Sequence, residues 1–242
     1  MTRNQTVTVN WNDYAQTYDL MATHNPAYQD LLRRFSGVAS TWQMNKEASI
    51  LEVGAGTGNF ALCAASIHGN ARVIHSEPSS AMQLHARHKA DSQGLENLHF
   101  VLGSAEELEL ADQSISAAIL VHMLYTLSDP KEFLGKLHQW LVPGAPVFAC
   151  DFGRRMDVSD WRRYLVGEMR HTIGWRRTLL TLWRGRGIAR ANHHIATEQL
   201  RGRYWMHTTE EFAAAFRETG FKVVQQEVAY RGYSDIVVAC RI

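Results

Sequence analysis

The feature that most constrains the fold of this chain is a glycine-rich stretch that follows an apolar run. Residues 50–60 read Ile-Leu-Glu-Val-Gly-Ala-Gly-Thr-Gly-Asn-Phe, and residues 73–77 read Val-Ile-His-Ser-Glu. This order predicts a buried strand, a tight turn, a helix and a second strand ending in an acid, the layout of a nucleotide-type site in a doubly wound α/β fold. The glycines are spaced G-x-G-x-G, and Asn59 stands where a dinucleotide fingerprint has its third glycine. That departure argues against a nicotinamide or flavin dinucleotide.

Each part of this stretch has a physical reason. Gly54 and Gly56 lack a Cβ, so the chain can turn sharply and a ligand can approach the backbone amides. Gly58 lets the next helix pack close to the sheet, and the N-terminus of that helix favours an anionic group. Glu77 lies 19 residues after Gly58, near the offset of ribose-binding acids, where a carboxylate can accept hydrogen bonds from both ribose hydroxyls. The alternative interpretation is an ordinary glycine-rich loop followed by a solvated glutamate.

Apolar runs and helix signals alternate along most of the remaining chain. Strands are predicted at about 50–54, 72–77, 98–102, 115–121 and 146–151, with helices between them. This alternation favours a parallel sheet that is covered on both faces. Two helices are predicted before the first strand, the second beginning at Asn25-Pro26 with an N-cap and an N1 proline, and a capping box at Thr208–Glu211 predicts a further helix. Two strands, at 221–230 and 234–241, are predicted to close the chain.

The glycine turn resembles motif I of the class I S-adenosylmethionine-dependent methyltransferases, and more narrowly their small-molecule, type 11/25-like members. Residues 11–19 also resemble the W-x-x-x-A-x-x-Y-D opening of many such enzymes. The resemblance covers residues 11–151 and 206–242. It implies an α/β fold with a Rossmann-like seven-stranded sheet in the order 3-2-1-4-5-7-6, strand seven antiparallel. It also implies one domain, 1–242, with an N-terminal helical lid segment at 1–45 and a substrate-lid insertion at 154–205, after strand five.

The resemblance implies S-adenosyl-L-methionine as the cofactor and S-adenosyl-L-homocysteine as its product. Glu77 would bind the ribose, the loop after strand three would cap the adenine, and Tyr18 would reach the methionine carboxylate. For Met82, packing in the core is the alternative role. For Tyr18, the alternative is a place on an amphipathic helix that covers a sheet edge. The predicted cofactor contacts are Tyr18, Glu52, Gly54, Ala55, Gly56, Gly58, Glu77, Pro78, Met82, Ser104, Ala105, Glu106, Val121 and His122.

The segment after strand four is the predicted place of acceptor chemistry. The family usually has a histidine before a hydrophobic-Pro-Asp-Pro element, whereas this chain has Tyr125 there and its histidine at position 122. A general base is needed only if the acceptor loses its proton near the transition state. His122 and Tyr125 are the predicted catalytic contacts to the acceptor. The alternative is a local hydrogen bond for His122 and simple packing for Tyr125.

Charge and aromatic residues are concentrated at 154–205. This insertion holds twelve Arg, no Lys, four acids and four of the seven Trp, which gives it +8, while the rest of the chain carries −7 and the whole chain +1. Aromatic faces suit a planar acceptor, and arginine forks suit a carboxylate, a phosphate or a polar heterocycle. The same mixture would also suit nucleic acid or a carrier protein, or a purely structural lid. The predicted substrate contacts are Trp11, Tyr14, Tyr125, Arg154, Trp161, Tyr164, Trp175 and Trp183.

The expected function is methyl transfer to N or O of a small aromatic or heteroaromatic metabolite in natural-product biosynthesis, the substrate being planar and polar or anionic. The first alternative is an RNA or other nucleic-acid methyltransferase. Against it, the Asp/Asn-Pro-Pro-aromatic element and the Pro-Cys pair of such enzymes are absent from the sequence. The second alternative is a non-transferase cofactor-binding module of the same fold.

The composition of the sequence predicts the location of the protein and which kinds of partner it lacks. The sequence contains no run of 18 apolar residues, no apolar signal core near its start and no metal-ligand spacing, and its three cysteines are far apart. These observations predict a cytoplasmic protein with no metal, no membrane partner and no disulfide. A monomer or a homodimer is expected.

Overall fold

A computed structural model describes the backbone of residues 11–242 and the side chains of these residues except 11–14, 16, 21 and 189–191. Its strands are β1 (Ser49–Val53), β2 (Arg72–Glu77), β3 (Leu98–Leu102), β4 (Ala117–Val121), β5 (Pro146–Phe152), β6 (Phe221–Ala229) and β7 (Ser234–Arg241). They form one seven-stranded sheet in the order β3-β2-β1-β4-β5-β7-β6. β7 runs antiparallel to both β5 and β6, and the other pairs are parallel. The predicted fold class, strand order and antiparallel strand seven are confirmed.

The central strands are apolar on both sides because each face of the sheet carries its own core. Side chains alternate between the faces of a strand. Ile50 of β1 and Phe148 of β5 therefore join one apolar cluster with the helices before and after β1, whereas Leu51 and Leu120 join a second cluster on the opposite face. All four side chains are fully buried.

The helices are α1 (Trp11–His24), α2 (Pro26–Ala39), α3 (Asn59–Ile67), α4 (Ser80–Gln93), α5 (Pro130–Trp140), α6 (Val158–Arg184), α7 (Arg186–Leu200) and α8 (Thr209–Glu218). The residues at the start of two of these helices form the capping hydrogen bonds that the sequence predicts. The Asn25 side chain accepts a hydrogen bond from the backbone N–H of Ala27 at the start of α2. At the start of α8 the capping box forms, because Thr208 and Glu211 each bind the other's backbone N–H.

The inserted helices α6 and α7 follow β5 and pack against α1. α6 is interrupted at Gly174, which has φ +75° and ψ 163°, so the segment 175–184 is a separate helical piece with its own direction. In the part of the chain that the structure describes, no helix is long and apolar enough to cross a membrane. The helices α1, α6 and α7 meet above the carboxyl ends of β4 and β5, where they enclose a cavity.

Candidate functional site

The turn after β1 depends on glycine for both conformation and space. Gly54, Gly56 and Gly58 have φ values of +64°, +54° and +79°, in the left-handed region that L residues adopt only at a cost of about 1–2 kcal/mol. A Cβ on Gly54 would lie 2.7 Å from the Cβ of Met123, and one on Gly58 would lie 3.0 Å from the Cβ of Ala86. The turn therefore brings its backbone close to β2, β4 and α4.

Glu77, at the end of β2, is buried and binds this turn. Its Oε2 accepts a hydrogen bond of 2.8 Å from the backbone N–H of Gly56, and its Oε1 accepts one of 2.9 Å from the N–H of Ser79. Burial raises the pKa of the Glu77 carboxyl, and these two hydrogen bonds act against that rise. A carboxylate has about four lone-pair positions, so each oxygen can still accept one further hydrogen bond.

Glu52, within β1, is a buried carboxyl that is only half satisfied. It receives a hydrogen bond from the backbone N–H of Ala61 in α3. Its Oε2 is buried and has no hydrogen-bond partner among the described residues. Burial raises the pKa of Glu52 to about 8, and the nearby Glu77 adds to this rise. A buried, unsatisfied carboxyl is costly, so this position fits a cationic donor supplied by a ligand.

Tyr18 brings α1 over the glycine turn. Its ring lies 3.9 Å from the point that a Cβ on Gly56 would occupy. Burial and the carboxyls of Glu52 and Glu77 raise the pKa of the Tyr18 phenol, while a hydrogen bond with Tyr28 lowers it. The Tyr18 hydroxyl is therefore a neutral group that faces both acids.

Asp19, the next residue of α1, connects this helix to the glycine turn through hydrogen bonds. Its Oδ1 accepts hydrogen bonds from Thr57 Oγ1 at 2.6 Å, Lys89 Nζ at 2.9 Å and Asn59 Nδ2 at 3.3 Å. The Lys89 ammonium also donates to Thr57 and Asn59. We call these four residues the α1 latch. The sequence reasoning missed it, although the Y-D pair that ends the N-terminal pattern was its available signal.

The remaining predicted cofactor residues lie in three settings. Met82 is buried against Ala15 of α1, and Ala105 belongs to the apolar core. The loop after β3 is exposed at Glu106, and the Ser104 hydroxyl donates to Glu107 instead of standing free for a ligand. The others border the turn or the strand ends: Ala55 is buried, Val121 is half-buried and Pro78 is exposed.

The cavity beneath α1, α6 and α7 has a volume of about 430 Å³. It extends from Tyr18 and Tyr28, beside the glycine turn, to the ends of β4 and β5 at His122 and Phe152. Its lining is mostly aromatic and aliphatic, with Arg162 and Arg186 as the arginines that line it. The apolar lining includes Tyr125, Phe152, Met156, Trp161, Leu165, Met169, Ile195 and Tyr230.

His122 follows β4 in a left-handed conformation, with φ +51°. Its ring stacks on Phe152 with the centroids 4.1 Å apart, and its Nε2 lies 3.0 Å from Ser234 Oγ. Burial lowers the pKa of His122 to about 3, so the imidazole is neutral near pH 7. A base this weak is poorly matched to taking a proton at neutral pH. The arrangement favours an orienting role at the cavity wall.

Tyr125 is buried, and its position is fixed by a hydrogen bond to a residue of the sheet. Its backbone N–H donates to Asp151 Oδ2 at 3.1 Å, and its ring lies edge-on to Phe152 and Tyr204. Burial raises the pKa of Asp151 to about 7. Both predicted catalytic residues therefore line one cavity, and both contact Phe152.

The structure does not bring all of the predicted substrate contacts together. Trp161 lines the cavity, and Tyr164 packs at its outer side beneath the Arg231 guanidinium. Arg154 instead pairs with the buried Asp235 and donates to two backbone carbonyls, so its guanidinium is used within the fold. The side chains of Trp175 and Trp183 are exposed on the outside of α6, and those of Trp11 and Tyr14 lie outside the described residues.

Among the described residues, no group of three His, Cys, Asp or Glu side chains is arranged to hold a metal ion. The groups that face the glycine turn are carboxyls and phenols, and the cavity adds a neutral imidazole, apolar rings and two arginines. Such a set suits an organic ligand with a cationic end and an aromatic part.

The family model described as methyltransferase domain matches residues 50–144, which include the glycine turn and Glu77. The predicted resemblance to the class I S-adenosylmethionine-dependent methyltransferases is thus supported over this segment. The chain is 29% identical over 103 residues to the demethylmenaquinone methyltransferase of Thermus thermophilus. That alignment covers 43% of the chain and 46% of the relative, so the chain matches about half of the relative's length.

Solved structures share the fold of this chain at low sequence identity. A SAM-dependent methyltransferase of Aquifex aeolicus has a TM-score of 0.60 and 14% identity, with 98% of this chain and all of that chain covered (100%). The cyclase SpnF has a TM-score of 0.62 and 15% identity, with coverages of 98% and 97%. The fold therefore serves proteins named for different reactions, and the reaction has to be argued from the site.

Proposed function

We propose that this chain transfers a methyl group from S-adenosylmethionine to N or O of a small aromatic or heteroaromatic metabolite in natural-product biosynthesis. One observation carries the proposal: an aromatic-lined cavity lies directly beside the glycine turn, and Tyr18 borders both. The glycine turn and the cavity suit two ligands that must meet end to end.

The residues around the turn fit the proposed cofactor. The half-satisfied carboxyl of Glu52 suits the ammonium of its methionine part, and the free lone pairs of Glu77 suit the ribose hydroxyls. When bound, the cofactor supplies a methyl group that is already activated by a positive sulfur. The protein's contribution is then to hold both partners in line, and positioning can supply about 7–11 kcal/mol.

The cavity fits a planar acceptor. Tyr125, Phe152 and Trp161 offer aromatic surfaces on which a ring can pack. Arg162 also lines the cavity, and a guanidinium suits a carboxylate or another polar substituent on that ring. These features support a substrate that is aromatic at its centre and polar or anionic at one edge.

The residues at the cavity wall are better suited to orienting the acceptor than to taking its proton. The neutral imidazole of His122 can give or take one hydrogen bond, and stacking on Phe152 fixes its plane. Because its pKa is about 3, we infer that the acceptor atom loses its proton to water or needs no base before the transfer. Amine nitrogens and acidic phenols meet this requirement better than aliphatic alcohols.

The helices at the carboxyl edge would act as lids on a single domain spanning 1–242. We assign the N-terminal lid to 1–45 and the substrate lid to 154–205, because α1 is latched to the glycine turn while α6 and α7 line the cavity. A cytoplasmic protein, monomeric or homodimeric, remains the expectation from the sequence.

Calorimetric titration with S-adenosylmethionine and S-adenosylhomocysteine, with NADH as control, tests the cofactor. We expect micromolar binding of the first two and none of NADH. Binding of NADH alone, or of none of the three, would overturn the proposal. Aromatic amines and phenols would then be screened with radiolabelled methyl donor, and salt-sensitive methylation of RNA in that screen would favour the nucleic-acid alternative.

The second candidate function is a non-transferase reaction in the same cavity, and the similarity in fold to the cyclase SpnF favours keeping it. The two functions differ in the fate of the cofactor. Product formation with all of the S-adenosylmethionine recovered intact would identify the non-transferase reaction, whereas formation of S-adenosylhomocysteine in equal amount with product would identify methyl transfer.

A further inference from the structure

The helical piece after Gly174 exposes an apolar row to solvent. Trp175, Leu179 and Trp183 recur every fourth residue and so lie along one helix face, with exposed fractions of 61%, 57% and 63%. Leu180 lies beside this row, three residues before Trp183, and is 46% exposed. We call these four residues the apolar row. Large apolar side chains grouped in this way mark an interaction surface.

The surroundings of the apolar row are strongly basic. Between Glu168 and Glu198 the sequence contains six arginines and no acid. Arg176, Arg177 and Arg184 lie on the same helical piece and are exposed. Two further contacts tie the charges to the aromatic rings: the Arg176 guanidinium lies 5.7 Å from the Trp175 ring, and that of Arg186 lies 4.8 Å from the Trp183 ring.

The inner face of the same helical piece belongs to the cavity. Thr181, Leu182 and Gly185 line it, together with Arg186 at the start of α7. One short helix therefore separates the apolar cavity from the apolar row. Whatever binds the row lies within one helix diameter of the cavity.

We propose that the apolar row and its arginines dock this protein on the surface of an anionic lipid bilayer. Tryptophan and leucine on one helix face, with arginines beside them, are the composition of a helix that lies in the bilayer interface. The arginines would meet acidic headgroups, each contributing about fivefold in affinity. The sequence prediction of no membrane partner rested on the lack of a spanning segment, whereas this surface concerns docking without a span.

The positive charge beside the apolar row favours an anionic bilayer over the other partners that could cover the row. A second copy of the chain packed row against row would bring two sets of like-charged arginines together, which is unfavourable. A nucleic acid would match the charge but would leave Leu179 and Leu180 without apolar partners. An anionic bilayer satisfies both the charge and the apolar side chains.

Docking is independent of the proposed methyl transfer, because it is measured without cofactor or acceptor. Docking would let a lipophilic acceptor enter the cavity directly from the bilayer, and this consequence does rest on the proposed methyl transfer. Failure of vesicle binding would leave the methyl-transfer proposal standing, and absence of cofactor binding would leave docking standing.

Flotation of the full chain with vesicles tests the proposal. We expect binding to vesicles of phosphatidylcholine and phosphatidylglycerol in equal parts, weakening as salt is raised, and much less binding to phosphatidylcholine alone. The double variant Arg176→Gln/Arg177→Gln should bind about 20- to 30-fold more weakly. Trp175→Gln/Trp183→Gln should lose about tenfold or more.

Two matched controls separate the surface from general charge and hydrophobicity. Arg33 and Arg72 are exposed arginines elsewhere, and Val224 and Val228 are exposed apolar residues of β6. Arg33→Gln/Arg72→Gln and Val224→Thr/Val228→Thr should bind vesicles like the wild type. Equal binding by the tryptophan variant, or no wild-type binding to either vesicle, would overturn the proposal. So would a wild-type dimer that the tryptophan variant converts to monomer, or tight RNA binding, in the absence of vesicle binding.

Discussion

At the scale of single residues, Glu77 has two tasks that one substitution can separate. The carboxylate accepts from two backbone amides and keeps lone pairs for a ribose. Glu77→Gln keeps the shape but replaces one acceptor oxygen with a donor. We expect S-adenosylmethionine to bind about 10- to 100-fold more weakly, as for the loss of charge-assisted hydrogen bonds. Calorimetry measures this change.

The matched control for Glu77→Gln is Glu96→Gln, because Glu96 is an exposed carboxylate on the surface. This control should bind the cofactor like the wild type. Circular dichroism of both variants checks that the fold is retained. Unchanged affinity in a folded Glu77→Gln variant would show that the ribose lies elsewhere.

Gly58 shows why the turn requires glycine for more than its flexibility. Gly58 and Gly94 both have left-handed φ values, but a Cβ on Gly58 would lie 3.0 Å from Ala86 and 3.1 Å from His75, whereas one on Gly94 would meet nothing within 4 Å. Gly94→Ala should lower the free energy of unfolding by about 1–2 kcal/mol through backbone strain alone. Gly58→Ala should cost about 1–3 kcal/mol more through crowding.

Urea unfolding of the two variants measures this difference directly, since the control shares the backbone strain and lacks the contacts. Equal costs would mean that the strands and α4 give way around the added methyl group. Cofactor affinity should fall in Gly58→Ala and stay at the wild-type level in Gly94→Ala, because only the first changes the turn.

At the scale of helices and strands, the α1 latch is the device that sets the position of Tyr18. Asp19→Asn removes the charge that Lys89 and Thr57 bind. Because Asp19 is partly exposed, the expected effect is moderate: cofactor affinity about three- to tenfold lower, and faster hydrogen exchange confined to residues 11–24.

Asp30→Asn is the control for the latch. Asp30 forms ion pairs with Arg33 and Arg34 on the exposed face of α2, and such surface pairs contribute little to stability. It should leave both readouts unchanged. If Asp19→Asn also leaves hydrogen exchange of 11–24 unchanged, then α1 is held by packing, and the latch is not what positions Tyr18.

The sequence was most informative where one local pattern decides the structure. Apolar runs and the glycine turn predicted the strands, and Asn25 and the Thr208–Glu211 box predicted helix starts, because caps and alternation act over a few residues. The order of the strands was implied by the resemblance to the methyltransferases. Sequence reasoning did not reach contacts between distant segments. The ion pair of Arg154 with Asp235 joins residues 81 positions apart and withdraws that guanidinium from the cavity.

The inserted helices show the same limit. The arginines and tryptophans of 154–205 are evident in the sequence, but the face on which each lies depends on the break at Gly174 and on packing against α1. Trp161 consequently lines the cavity while Trp175 and Trp183 lie outside it. The cavity itself is formed by α1, α6 and α7 together, so no single stretch of the sequence predicts it.

At the scale of the whole molecule, buried neutral groups link stability to pH. Burial lowers the pKa of His122 to about 3 and that of His75 to about 4, both below the value of about 6.5 in an unfolded chain. Between these values the unfolded state binds protons that the folded state does not. The contribution of these two histidines to stability therefore rises with pH across this window and is lost as the pH falls below about 6.5. The buried carboxyls of Glu52 and Asp151, whose pKa values burial raises to about 8 and about 7, contribute with the opposite sign.

His122 alone should lower the free energy of unfolding by about 2 kcal/mol between pH 6.5 and pH 5. In His122→Gln this part of the pH dependence disappears while the parts due to His75 and the buried carboxyls stay. Urea unfolding at several pH values should therefore show a gain in the free energy of unfolding from pH 5 to pH 6.5 that is about 2 kcal/mol smaller than in the wild type. His171→Gln, at an exposed histidine of α6, should keep the wild-type slope. A His122→Gln profile with the same slope as the wild type would mean that the pKa of His122 is the same in the folded protein as in the unfolded chain. The imidazole would then be able to exchange protons in the cavity, and a base role in the transfer would regain its physical ground.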